Sequence, residues 1–126
     1  MARDPAPHPP SILPALEALV PDLEARLAGS LDGFTGMIVR AHLPQRWVFV
    51  TESSTASLIV SADGKVSAQS GLASPADVTI ETTFARLEAA LRTRDRSKVP
   101  PGPLKVTPHT EKGRRAFEFL RARVGL

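Results

Sequence analysis

The 126-residue sequence contains no cysteine and no tyrosine, one tryptophan, five phenylalanines and three histidines. Without cysteine there is no disulfide, no thiol nucleophile and no thiolate metal site, a composition that suits a reducing compartment. No apolar run approaches the length of a membrane span. The N-terminus, MARDPAPHPPS, lacks the uninterrupted apolar core of a secretory signal, because Pro14 and Glu17 interrupt the only stretch that could supply one. The expectation is a soluble cytoplasmic protein. Catalytic patterns are equally scarce. His8, His42 and His109 lie far apart, so neither an HExxH pair nor a compact metal site of histidine and carboxylates has usable spacing. Ser53, Ser54 and Ser57 cluster without a G-x-S-x-G elbow, and Gly33-Phe-Thr-Gly36 and Gly64 build neither a phosphate loop nor a dinucleotide fingerprint. Glu52 and Glu81, each at the end of a strand-like run, are a remote candidate for a carboxylate pair. The residues read as those of a non-enzyme that needs no cofactor or metal.

What is present is one domain's worth of chain, enough to hide roughly two-thirds of the surface its unfolded form would expose. The formal charge is +3, and most of the excess follows Arg92. Arg92, Arg94, Arg96 and Lys98 make one basic cluster; Lys112, Arg114, Arg115, Arg121 and Arg123 populate the terminal segment. Such clusters attract nucleic acid or anionic lipid headgroups, or simply form solvated helix faces. Nucleic-acid binding usually adds exposed aromatic side chains, and here Trp47 and the phenylalanines lie mostly on apolar faces.

Residues 1–10 carry four prolines and almost nothing apolar, which predicts a disordered tail ahead of a domain over 11–126. From Ser11 the spacing of Ile12, Leu16, Leu19, Leu23 and Leu27 predicts an amphipathic helix, with a kink or a fresh start at Pro21 and a stop near Gly29. Gly36 to Leu43 and Trp47 to Val50 read as one hairpin. Ala56 to Ala62 and Lys65 to Ser70 flank Asp63-Gly64, a strong turn signal, and read as a second. The strands Trp47 to Val50 and Leu58 to Val60 are apolar on both faces, so something must cover both sides of the sheet there: helices on both, or helices on one and a ligand tunnel or partner on the other.

The C-terminal half alternates strand and helix. Val78 and Ile80 alternate with Asp77, Thr79 and Glu81; Phe84, Leu87 and Leu91 share a helical face; Leu104 and Val106 alternate with Lys105 and Thr107. Thr110 then caps a last helix whose Phe117, Leu120 and Val124 share a face. The succession Ala76-Asp-Val-Thr-Ile80, amphipathic helix, Gly102-Pro-Leu-Lys-Val106 and terminal helix resembles the C-terminal half of the sterol carrier protein type-two family. Two positions depart from the usual family pattern: Pro103 replaces a lysine, and Thr107-Pro108 stands where a glycine is usual.

The resemblance implies an α+β domain: a helix, a three-strand meander, a crossover to a fourth strand, a helix and a fifth strand. Four strand candidates precede the crossover here, so the expectation is a mixed five- or six-stranded sheet covered by helices, with room for an apolar tunnel. It also implies a lipid carrier that holds sterol, fatty acid, acyl-CoA or phospholipid without chemistry and touches anionic membrane surfaces transiently. On that reading Trp47, Phe49, Phe84, Leu87, Leu91, Phe117 and Leu120 line the ligand compartment or form plain core. Arg94, Arg96 and Lys98 would hold a carboxylate or phosphate headgroup. The rival classes are a protein-interaction or regulatory module built on the same fold and a basic nucleic-acid-binding domain.

Overall fold

The structure, a computed structural model, describes residues 11–30, 41–93 and 95–121. The elements run α1 (Leu13–Ser30), β1 (Gln45–Val50), β2 (Thr55–Val60), β3 (Val66–Ser70), β4 (Val78–Thr82), α2 (Phe84–Thr93), β5 (Leu104–Pro108) and α3 (Glu111–Arg121), with a short 3-10 turn at Arg96–Lys98. The five strands form one mixed sheet in the order β3-β2-β1-β4-β5, antiparallel throughout except where β4 runs parallel to β1. The chain is thus an α+β protein whose element order is the one implied by the sterol carrier resemblance. The candidate tail over 1–10 lies outside the described residues, as does most of the candidate strand Gly36 to Leu43. The described end of that stretch, Ala41 and His42, is a turn.

The register explains which residues make the core. Trp47 lies between Leu58 and Val78, and Phe49 between Ala56 and Ile80, with Val106 beyond Ile80. Because side chains alternate along a strand, these rows point to one face of the sheet. They meet Ile12, Leu16 and Leu19 of α1, Leu87, Ala90 and Leu91 of α2 and Phe117 of α3 in one buried cluster. The opposite face is centred on Val48 and its partner Ser57, both almost wholly buried. No described helix covers them. The crossover 71–77 does: the Ser57 hydroxyl donates to the Gly71 carbonyl at 2.6 Å and accepts the Ala73 amide at 2.9 Å. A polar residue in a strand apolar on both sides is therefore what fastens the second cover.

Local signals act as their chemistry requires. Gly64 has φ 86°, inside a loop closed by the Ser61 amide donating to the Lys65 carbonyl, so the Asp63-Gly64 turn joins β2 to β3 as expected. Thr110 accepts the Gly113 amide at 3.0 Å and caps α3. Of the two expectations at Pro21, the fresh start does not occur: α1 continues through it. Pro21 is exposed while Leu16, Leu19 and Leu23 pack inward. The backbone acceptor it leaves without a donor therefore lies on the watered side.

Candidate functional site

The cleft is built by α1 and α2, which lie on the same face of the sheet and pack against each other. Each buries leucines toward the sheet, Leu16 and Leu19 from α1 and Leu87 and Leu91 from α2. What α1 leaves on the outer side is small. Pro14, Ala15 and Ala18 of α1 face Phe84, Glu88 and Arg92 of α2 across a cleft of 510 Å³, with Leu19 and Leu91 in its lining and Ser11 at one end. Side chains as short as alanine and proline cannot fill the space between two helices, and the gap stays open.

Its chemistry is apolar with a polar margin. Six of the lining residues are Pro14, Ala15, Ala18, Leu19, Phe84 and Leu91; the polar remainder is Ser11, Glu88 and Arg92. Arg92 Nε donates to Glu88 Oε1 at 3.0 Å; the arginine side chain is well exposed and the glutamate partly so, and the pair contributes little to stability. A guanidinium held at the edge of an apolar cleft is, however, a donor fork suited to a carboxylate or phosphate.

The residues singled out from sequence separate into two sets. Phe84 and Leu91 line the cleft. Trp47, Phe49, Leu87 and Phe117 sit in the packed core below it. Trp47 is held by rings on either side, its centroid 5.9 Å from Phe117 and 6.5 Å from Phe49. Its indole N–H donates to Gln45 Oε1 at 2.9 Å, and the same glutamine amide donates to the carbonyls of His42 and Lys112. The side chain of Leu120 lies outside the described residues. So do Arg94 and the side chain of Arg96, while Lys98 is exposed and pairs with Asp95 at 3.9 Å.

The sequence reading takes the apolar stripe of α1 as core and omits the α1 wall of the cleft. The signal was the row of small residues Pro14, Ala15 and Ala18 on the stripe's flank.

The polar side chains singled out in the sequence have other surroundings. Glu52 and Glu81 each have another partner, Glu52 the amide of Phe84 and Glu81 the ammonium of Lys105 at 3.9 Å. His109 shares a hydrogen bond with Thr79 at 2.8 Å. Among the described residues no three histidine, aspartate or glutamate side chains gather as a metal site, and no helix is long and apolar enough to cross a membrane.

No family model and no curated protein matches the chain. A solved structure described as a UbiJ-SCP2 ubiquinone synthesis protein is similar to it, with a TM-score of 0.46 and 17% identity over 80% of this chain and 91% of that chain.

Proposed function

We propose that the protein is a lipid carrier that holds the acyl chain of a long-chain fatty acid or acyl-CoA in the cleft between α1 and α2 and does not transform it. The observation that carries this reading is the cleft itself, 510 Å³ of space lined mainly by apolar side chains with Arg92 at its edge. That volume falls within the range of small-molecule sites, which are mostly apolar with a few placed polar groups. Each methylene removed from water contributes about 0.8 kcal/mol, so about ten contribute roughly 8 kcal/mol before the costs of immobilisation. This is the scale of micromolar affinity. No directional bond to the chain is needed, so such a site tolerates several lipids.

Titration with a fluorescent fatty acid, followed by displacement with palmitate, tests the reading. Saturable, displaceable binding is expected, and Ala18→Trp abolishes it by filling the cleft from an exposed position while leaving the fold intact. Absence of any saturable signal at about tens of micromolar, the weak end of the expected affinity, rejects it.

A further inference from the structure

We propose that the turn between β1 and β2 is a clasp that sets the width of the cleft, with Glu52 and Ser54 as positioning residues. Its effect on ligand retention rests on the acyl-binding reading above. Two residues of this one turn reach the starts of both helical walls. Ser54 Oγ accepts the amide of Ile12 at 3.0 Å, one residue before α1. Both carboxylate oxygens of Glu52 accept the amide of Phe84, the first residue of α2, at 3.0 Å each. Ser11 and Phe84 in turn line the cleft, so the tied ends of the helices are one end of the cleft.

These ties are additional to the helices' own caps. Ser11 Oγ accepts the Leu13 amide at 3.2 Å, and Thr83 Oγ1 accepts the Arg86 amide at 3.2 Å. Each helix start thus has a local acceptor for one of its orphan amides. A second acceptor from a distant turn does something else: it fixes where the helix starts relative to the sheet. Glu52 is suited to this because a carboxylate at a helix N-terminus interacts favourably with the positive end of the macrodipole.

The turn is also stiff. The Thr51 amide donates to the Ser54 carbonyl at 2.8 Å, and Thr51 Oγ1 accepts the amides of Ser54 at 3.0 Å and Ser53 at 3.3 Å. Thr51 is buried, and the strands the turn joins have β4 on one side and β3 on the other. Both walls are therefore referred to one rigid point of the sheet.

The test uses the absence of cysteine, which lets Glu17→Cys and Ala85→Cys, at exposed positions on the two helices, carry nitroxide labels alone. In the otherwise unchanged protein the label-to-label distance distribution should be narrow. Glu52→Ala should broaden it and speed release of a bound fluorescent fatty acid about tenfold, the equivalent of about 1.4 kcal/mol, with the association rate unchanged. Glu52→Gln, which keeps an acceptor but not the charge, should fall between, and Ser54→Ala should broaden the distribution from the α1 side. If Glu52→Ala does not fold, the latter two variants decide the matter by the same measurements. Wild-type distance distributions in the folded variants overturn the clasp, as does broadening without faster release when binding is saturable. Broadening with no fatty-acid binding in any form of the protein leaves the clasp standing and overturns the acyl-binding reading instead.

Discussion

Gly113 lies inside α3, where alanine would ordinarily be the better helix former by about 1 kcal/mol. The surroundings reverse that preference. A Cβ placed on Gly113 would fall on the carbonyl group of Asp77, within 2.8 Å of its carbon and 3.0 Å of the Asp77 Cβ. The carbonyl cannot easily withdraw, because it accepts the His109 amide at 2.7 Å. The Asp77 side chain is pinned as well, accepting the Arg46 amide at 2.9 Å and the Thr110 hydroxyl at 2.7 Å, with Lys112 Nζ at 3.8 Å. One buried carboxylate thus joins the starts of β1, β4 and α3. Gly113→Ala is expected to lower stability by about 2 kcal/mol, the scale of overpacking in a close-fitted site, and urea unfolding measures it. A more stable variant would mean that α3 does not approach the Asp77 turn so closely.

Among the elements, α3 shows how a helix of strongly polar composition is kept in place. Glu111 opens it and pairs with Arg114 at 2.5 Å and Arg115 at 3.2 Å; Arg114 also reaches Glu118 at 2.9 Å. The Arg114 hydrogen bond holds the Glu111 carboxyl below its ordinary range, but these groups are exposed and contribute little. Attachment comes from Phe117, only 8% exposed and packed on Trp47. Phe117→Ala should therefore cost about 3 to 5 kcal/mol, read as a shift of the urea midpoint; a much smaller loss would place the ring beside an unfilled space rather than in packed core.

This helix, β4, β5 and α2 were legible because each pattern had one apolar face, by alternation at 78–82 and 104–108 and by helical spacing in α2 and α3, with Thr110 marking the start of α3. At Pro21 the local rule allows a fresh start that does not occur, because the proline faces water and the helix continues through it. The cleft was only half legible. Phe84 and Leu91 announce themselves by spacing, but that Ala15 and Ala18 would stand opposite them depends on where α1 docks, which no local pattern contains. The contribution of Glu52 to α2 was hidden for the same reason, since the two are neighbours only through the pairing of β1 with β4.

At the scale of the whole molecule, the two faces of the sheet are closed in different ways, and only one of them keeps an open cleft among the described residues. The crossover 71–77 lies on the far face and is fastened through Ser57, leaving Leu72 72% exposed at its edge. The near face carries the helices, and it is between helices, which meet along ridges of unequal side chains, that unfilled space of 510 Å³ persists. A ligand that occupies this space only in the folded protein must stabilise the entire domain, since anything binding the native state alone adds RT ln(1 + [L]/Kd) to its stability. At a free palmitate concentration about ten times Kd the gain is about 1.4 kcal/mol, which for a chain of this size raises the midpoint of thermal unfolding by about 5 °C. Ala18→Trp should remove the shift while leaving the unliganded midpoint nearly where it was, because the substitution adds a side chain to open space rather than to packed core. Equal shifts in the two proteins would place the lipid elsewhere on the surface, and the α1–α2 cleft would then be a gap in the packing with no ligand of its own.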